Sequence, residues 1–226
     1  MLVFLPGFMS DMTGDKAEAL HAWCFARGRA CLRLDYSGHG QSGGDFADGT
    51  IGRWTADALF LIDRLAGETF LLMGSSMGGW IALNVALARP DRVAGLIGIA
   101  AAPDFTEDLM WAGMAPAARK KLLRDGELRI PSRYGGEQII TSALIEDGRA
   151  HLVMRGPIPL RCPVRLLHGM LDRDVPWETA LRVAERLESP DVHVTLVKDG
   201  EHRLSRPADI ALLVRTAAAL LGEDGG

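Results

Sequence analysis

The chain has 226 residues, of which 48% are hydrophobic and 24% are charged, and its formal net charge is −4. This length suits a single domain with a sizeable core. The acidic balance offers no basic surface, and no run of lysines or arginines is long enough to suggest one, which argues against a nucleic-acid-binding protein. No apolar stretch approaches the ~20 residues that a membrane-spanning helix requires, so no membrane span is expected.

Short apolar runs alternate along the chain with longer amphipathic runs, which is the pattern of a mostly parallel sheet with crossover helices. The predicted strands are Leu2–Leu5, Ala30–Asp35, Thr69–Met73, Val93–Ile99, Val164–His168 and Val192–Val197. The predicted helices are Thr13–Arg27, Arg53–Leu65, Met77–Arg89, Glu178–Leu187 and Pro207–Leu221. The order predicts an α/β protein whose sheet of about six strands is flanked by helices.

Residues 103–163 interrupt this alternation with a mixed composition. An unstructured loop of that length is improbable in a compact domain. We therefore expect a single domain over residues 1–226, in which 103–163 forms a small, mostly helical cap insertion above the sheet.

The run Gly74–Gly78 is a G-x-S-x-G motif that stands between a predicted strand and a predicted helix. A hydroxyl attacks well when it projects from such a tight turn, and the flanking glycines allow close packing there. Ser76 is therefore the predicted nucleophile of a hydrolase with the α/β-hydrolase fold. Its neighbour Ser75 lies off the centre of the motif and is expected to point into the fold.

A serine nucleophile needs a base, and in this motif the chain order is serine, acid, histidine. His202 follows the last predicted strand, where a loop returns to the carboxyl edge of the sheet, and it is the predicted base. His193 lies within that strand, and His168 ends the preceding one. Both are interpreted as structural.

The acid is expected after the strand Val164–His168. Asp172 has the D-x-x-V-P spacing typical of such hydrolases, and Asp174 is expected to turn towards solvent. Asp104 stays a third candidate, because some hydrolases take the acid from the end of the preceding strand. Asp172 is the preferred orienter of the histidine.

The oxyanion of the tetrahedral intermediate needs two backbone donors. The N–H groups of Phe8, after the first strand, and of Met77, at the start of the helix after Ser76, are the expected pair. Since no cluster of histidines and cysteines suggests a ligand set, we expect neither a metal nor an organic cofactor.

Several motifs resemble one family more closely than the fold class requires. They are Leu5–Gly14, Leu34–Ser42, Gly74–Trp80, Pro157–Pro159, Leu166–Met170 and Asp172–Trp177. Together they resemble the family of alpha/beta-hydrolase domain-containing protein ten, whose members are described as mitochondrial S-depalmitoylases that also cleave acyl glucuronides. The resemblance implies a Ser76, Asp172 and His202 triad, and the cap is its least similar part.

The expected function is hydrolysis of acyl thioesters or carboxylic esters, on a small-molecule or acyl-protein substrate. A generic carboxylesterase, a serine aminopeptidase-like hydrolase, a non-hydrolytic enzyme and a binding protein of the same fold are the alternatives. The apolar side chains of the cap either line an acyl pocket or only hold the cap to the body. They are Met110, Trp111, Met114, Ile139 and Ile140.

The start of the chain and its cysteines bear on location. The segment Leu2–Pro6 follows Met1 with neither a charged region nor a cleavage site, so no signal or transit peptide is predicted. The first strand begins at residue 2, where such hydrolases usually open with a hairpin, so either that hairpin is lost or the native start lies upstream. Cys24, Cys31 and Cys162 are widely spaced and odd in number, which indicates thiols in a reducing compartment. We expect a bacterial relative in the cytoplasm.

Overall fold

The computed structural model of the chain describes residues 1–133 and 135–222. The strands are β1 (Leu2–Leu5), β2 (Cys31–Arg33), β3 (Phe70–Ser75), β4 (Val93–Ile99), β5 (Glu127–Pro131), β6 (Glu137–Thr141), β7 (Val164–Gly169) and β8 (Val192–Val197). Six of them form one sheet in the order β2-β1-β3-β4-β7-β8, and every neighbouring pair is parallel. The α/β-hydrolase class predicted from the sequence is confirmed.

Helices cover both faces of this sheet. The α-helices are α1 (Asp15–Phe25), α2 (Ile51–Leu65), α3 (Met77–Ala88), α4 (Pro116–Asp125), α5 (Ser142–Ala150), α6 (Glu178–Arg186) and α7 (Pro207–Leu220). Alternate residues of β1 enter different cores: Leu2 and Phe4 pack with α1 and α7, whereas Val3 and Leu5 pack with α2, α3 and α6. This period of two is why strands covered on both faces are apolar throughout. We call the sheet with α1, α2, α3, α6 and α7 the body.

The strands and helices of the body lie where the sequence predicted them, apart from their ends. The largest differences are at β2, which is three residues instead of six, and at α1, which begins at Asp15 rather than Thr13. At α1, Gly14 is the N-terminal cap, because its extended backbone cannot continue the helix. At β2, only the residues opposite β1 can pair, and β1 is short.

The intervening segment, residues 103–163, contains more than the helices predicted for it. A π-helix (Thr106–Trp111) precedes α4, and α5 follows an antiparallel hairpin of β5 and β6. The hairpin was not predicted, since its strands are five residues each and carry charges. Its turn uses Gly135 and Gly136 at φ of 95° and 70°, values that favour glycine.

Hydrogen bonds join the two ends of the intervening segment to each other and attach the segment to the body. The Asp104 carboxylate accepts hydrogen bonds from the backbone N–H groups of Val153 and Met154, at 2.8 and 2.9 Å, which brings the two ends of the segment together. The Trp80 indole on α3 donates to the carbonyl of His151 at 3.0 Å. The N–H of Gly52, on α2, donates to Asp147 at 2.7 Å.

Two further properties concern the lengths of the helices and the cysteines. None of the helices in the described part of the chain has both the length and the apolar composition needed to cross a membrane. The three cysteines all fall within residues 1–133 and 135–222, and they form no disulfide.

Candidate active site

Ser76 occupies the sharp turn between β3 and α3. Its backbone has φ 53° and ψ −119°, a conformation that costs a non-glycine residue energy and is retained where the surroundings impose it. Here the Ser76 N–H donates to the carbonyl of Ile99 at 2.9 Å, so the end of β4 fixes the turn. Ser75 ends β3 and is buried, as expected.

The two glycines of the motif are required by close backbone contacts. A Cβ on Gly74 would lie 2.1 Å from the carbonyl oxygen of Gly78, and a Cβ on Gly78 would lie 2.1 Å from the carbonyl oxygen of Leu5. Both distances are far below van der Waals contact with backbone atoms that cannot move aside. The turn therefore packs directly against the end of β1.

His202 bridges Ser76 and Asp172. Its Nε2 lies 3.0 Å from the Ser76 Oγ, and its Nδ1 lies 2.7 Å from an Asp172 carboxylate oxygen. Asp172 follows β7 and His202 follows β8, and these strands are adjacent and parallel, so their loops emerge side by side. The sequence analysis predicted these three residues as a triad, and in the structure their side chains lie within hydrogen-bonding distance of one another.

Two glycines let the loops of Asp172 and His202 approach each other. A Cβ on Gly169 would lie 2.3 Å from the carbonyl oxygen of Gly200, and the N–H of Leu171 donates to the same carbonyl at 2.9 Å. Sequence reasoning did not single out these glycines. Their only signal was that each stands directly before a loop expected to carry a reacting side chain.

The Asp172 carboxylate is buried and fully hydrogen-bonded. One oxygen accepts the N–H groups of Asp174 and Val175 at 2.8 and 2.9 Å, and the other accepts from His168 at 3.0 Å as well as from His202. Burial acts to raise the pKa of Asp172, but the hydrogen bonds from His168 and His202 outweigh it and hold this pKa below its usual range. Asp172 is therefore a stable anion beside His202.

The two other aspartates considered as the acid lie in different surroundings. Asp174 has a side chain that is 28% exposed and lies 3.7 Å from the guanidinium of Arg133. Asp104 is fully buried beneath the intervening segment, where it accepts the two backbone bonds described above. Burial raises the pKa of Asp104 despite those bonds and the nearby Arg155 guanidinium.

The backbone N–H groups of Phe8 and Met77 flank the turn at Ser76. Phe8 follows β1, and Met77 is the first residue of α3. Neither N–H donates a hydrogen bond to any other residue within 1–133 and 135–222. A Cβ on Gly7 would lie 3.4 Å from the Ser76 Cβ, which shows how closely the loop after β1 approaches Ser76.

Aromatic rings hold the Phe8 side chain. Its ring lies 5.0 Å from that of Phe46 and 5.9 Å from those of Trp54 and Phe105, measured between centroids, and all three contacts are edge-to-face. Such pairs stabilise beyond the burial of their area. The packing fixes the backbone that presents the Phe8 N–H.

The five apolar side chains expected at an acyl pocket lie mainly within the intervening segment's own small core. Ile140 is buried there with Leu122 and Ile145, and the partly buried side chains of Met110, Trp111 and Met114 pack against this group. Ile139 is half-buried on β6. These contacts lie within the segment, and Met110 alone of the five is also packed against the larger core that includes the body, which is the contact that the second interpretation requires. The acyl pocket stays a prediction.

Sequence reasoning missed Lys16, which lies beside a cavity of about 230 Å³ behind the loop of His202. Its ammonium group, on α1, donates to the carbonyl of Arg203 at 2.5 Å and to the Ser205 hydroxyl at 3.3 Å. Burial lowers the pKa of Lys16 to about 8. A lysine on an amphipathic helix gives no sequence signal of such a contact.

One trio of side chains in the described residues has the donor types of a metal site, namely Asp172, Asp174 and His202. Both oxygens of Asp172 and both ring nitrogens of His202 are already engaged in the hydrogen bonds above. A cation would have to break the contact between His202 and Asp172. We assign no metal to this trio.

Comparisons with known proteins give matches to hydrolases. The family model described as Serine aminopeptidase, S33 (Hydrolase_4) matches residues 1–151. Palmitoyl-protein thioesterase ABHD10, mitochondrial, of Mus musculus is 43% identical over 222 residues, which cover 97% of this chain and 74% of that protein. The motif-based resemblance is confirmed.

Two solved structures share the fold over nearly the whole chain. The structure of alpha/beta hydrolase domain-containing protein 10 from mouse is 42% identical with a TM-score of 0.90, and the match covers 98% of this chain and 89% of that one. A crystal structure from Agrobacterium vitis S4 is 46% identical with a TM-score of 0.93, covering 97% and 87%.

Proposed function

Because the chain belongs to the serine aminopeptidase, S33 family and to the family of the thioesterase ABHD10, it is a hydrolase of ester or thioester bonds, and we propose that Ser76, His202 and Asp172 carry out the reaction. The observation that carries this proposal is the continuous chain of hydrogen bonds from the Ser76 Oγ through the His202 ring to Asp172.

In the first half of the reaction, the Ser76 oxygen attacks the acyl carbonyl while the His202 Nε2 takes the hydroxyl proton. Asp172 accepts the Nδ1–H of His202, which fixes the ring orientation and stabilises the imidazolium that forms. The tetrahedral intermediate collapses as the imidazolium donates its proton to the leaving thiol or alcohol. An acyl ester on Ser76 remains.

In the second half, His202 removes a proton from water, which attacks the carbonyl carbon of the acyl ester. As this second intermediate collapses, the bond to the Ser76 oxygen breaks, the imidazolium returns its proton to that oxygen, and the acid is released. The negative oxygen of both intermediates requires donors that are not already paired. The N–H groups of Phe8 and Met77 meet this condition, and Met77 also stands at the N-terminus of α3, where the helix dipole favours negative charge.

The substrate class follows from the relatives. A relative named palmitoyl-protein thioesterase matches 97% of the chain at 43% identity, so we propose that long acyl thioesters are substrates. The family resemblance described above implies acyl glucuronides as a second group. In this account the intervening segment acts as a cap that shapes the acyl site. The cytoplasmic location expected from the sequence stays a prediction, and it differs from the mitochondrial location in the relative's printed name.

The test is a matched panel of acetyl, octanoyl and palmitoyl thioesters together with the corresponding oxygen esters. We expect kcat/KM to rise with chain length and to be higher for thioesters. Equal or reversed preference for acetyl substrates would contradict the acyl-thioesterase proposal and favour a generic carboxylesterase.

The description of the matching family favours one alternative, a serine aminopeptidase-like hydrolase. An aminoacyl anilide added to the panel separates the two functions. Release of the anilide at a kcat/KM comparable to that of the thioesters would support the aminopeptidase.

A further inference from the structure

His168 contacts the same carboxylate oxygen as His202. The His168 side chain, at the end of β7, is buried, and its Nε2 lies 3.0 Å from the Asp172 oxygen that also lies 2.7 Å from the His202 Nδ1. The proposed mechanism gives His168 no part. Yet a second imidazole shares the atom on which the orientation of His202 depends.

The partners of His168 determine its tautomer. Its Nε2 also lies 3.1 Å from the carbonyl oxygen of Val175, and both neighbours of this nitrogen can only accept, so Nε2 must carry the proton. Its Nδ1 is buried and has no hydrogen-bond partner within the described part of the chain. A proton on Nδ1 would be an unpaired donor away from water, which is costly, so the ring is neutral with Nε2–H.

We propose that His168 is a positioning residue that donates its Nε2–H to Asp172 and so limits how strongly this carboxylate holds His202. The proposal rests on the proposed function, because it concerns the same reaction. A neutral donor on the shared oxygen reduces the negative charge that the His202 Nδ1–H meets. It also leaves each carboxylate oxygen with two donors, so the group cannot turn away from His202.

Among the groups around Asp172, His168 is the one that can reduce the charge on the shared oxygen. The other donors to Asp172 are the backbone N–H groups of Asp174 and Val175, and they bind the opposite oxygen. The nearby charges are Asp174, which lies 3.7 Å from Arg133, and the imidazolium that His202 becomes during the reaction. The change H168L removes the donor and keeps an apolar side chain of similar size, whereas H168Q retains an N–H₂ group near the position of Nε2.

Loss of the donor should change how activity depends on pH. Without His168, the full charge of Asp172 acts on His202, and His202 therefore keeps its proton to higher pH. The acidic limb of the kcat/KM profile should then move upward by about 0.5 pH unit. The rate constant kcat should fall about tenfold, because Asp172 loses one of the donors that keep it turned towards His202 and so aligns the ring less well. KM should not change, because His168 lies behind Asp172 and away from the substrate.

The experiment compares wild type, H168L, H168Q and the control H193L, which alters an exposed histidine on β8. Active sites are counted with a fluorophosphonate, so that only folded, labelled enzyme enters kcat. We expect the upward shift in H168L, its reversal in H168Q, and wild-type behaviour in H193L. An H168L profile that stays within about 0.1 unit of wild type or moves downward, or an H168Q profile like that of H168L, overturns the proposal.

A second measurement needs no variant and no turnover. Nitrogen-15 NMR of histidine-labelled wild type reports the tautomer of each ring, and we expect neutral Nε2–H for His168. The Nδ1–H tautomer would overturn the proposal even if H168L fails to fold. Failure of the proposed function is distinguishable, because it would show as wild type that neither labels nor turns over.

Discussion

The body and the intervening segment differ in how firmly their residues are held. In the body, β1 and β3 are buried on both faces and each pairs on both sides. In the intervening segment, the hairpin of β5 and β6 pairs only with itself, and the small core centres on Leu122, Ile140 and Ile145. Because it buries less apolar surface, this segment should open locally at a lower free energy than the sheet does.

The three side chains proposed to react all belong to the more firmly held region. Ser76, Asp172 and His202 each follow a strand of the body, and the distances between them depend on strand pairing and on close glycine contacts. The intervening segment contributes none of these three side chains. The comparison therefore predicts that mutations can separate the chemical step from the choice of acyl chain.

The largest expected effect comes from removing the charge of Asp172 in the body. D172N should lower kcat by about ten-thousand-fold, because the amide favours the wrong tautomer of His202 and cannot stabilise its cation. Steady-state kinetics on an acetyl thioester, with active sites counted by labelling, measures this loss.

The matched control for D172N is D104N, which alters the buried aspartate that sequence reasoning left as a candidate acid. It should retain most of kcat and lose about 1–3 kcal/mol of unfolding free energy, since one carboxylate oxygen that accepts a backbone N–H becomes an amide donor. A larger loss of kcat in D104N than in D172N would show that the acid lies in the intervening segment and not in the body.

A pair of leucine truncations tests whether the two regions act separately. Leu122 in the intervening segment and Leu213 on α7 are both fully buried in separate cores. L213A should lower the free energy of global unfolding by about 2–5 kcal/mol and leave the preference for chain length unchanged. L122A should reduce the palmitoyl-to-acetyl ratio of kcat/KM with a smaller effect on global unfolding.

Urea denaturation and the thioester panel read the two quantities independently. If L122A leaves the chain-length preference intact while L213A alters it, the claim that the intervening segment determines this preference is wrong. Equal effects of both truncations on preference would also contradict it.

The smallest expected effect lies in the body and depends on pH. The pKa of Lys16 is about 8 in the folded chain against an ordinary value of 10.5, so the unfolded chain binds more protons between these values. The contribution of this group to the free energy of unfolding should therefore rise from pH 8 to pH 10.5. The rise should be only roughly 1 kcal/mol, because Lys16 is partly exposed and solvent screens its charge.

K16M should lack that rise, whereas the control K198M, at an exposed position, should keep it. Urea unfolding on both sides of this pH window measures the difference. A rise of the same size in K16M and wild type would show that Lys16 is not the source.

The sequence predicted the body well because its signals are local. Runs such as Phe70–Met73 in β3 are apolar throughout, and the glycines around Ser76 stand at fixed offsets from it. The hairpin of β5 and β6 gave no such signal, since its five-residue strands carry charges and rely on contacts with each other.

Two side-chain contacts that depend on how loops fold escaped sequence reasoning for a different reason. His168 was predicted to be structural, yet it contacts Asp172 only because the turn after β7 folds back on the strand end. Lys16 meets the loop of His202 across 187 residues of sequence. Neither residue type nor spacing encodes such a pairing.

The most direct test of the central claim is labelling with a fluorophosphonate probe, followed by peptide mapping. Wild type should bind one equivalent of probe on Ser76, S76A should bind none, and S75A should still be labelled, because Ser75 is buried beside the nucleophile. Labelling that persists in S76A, or that maps to another residue in wild type, would contradict the assignment of Ser76 as the nucleophile.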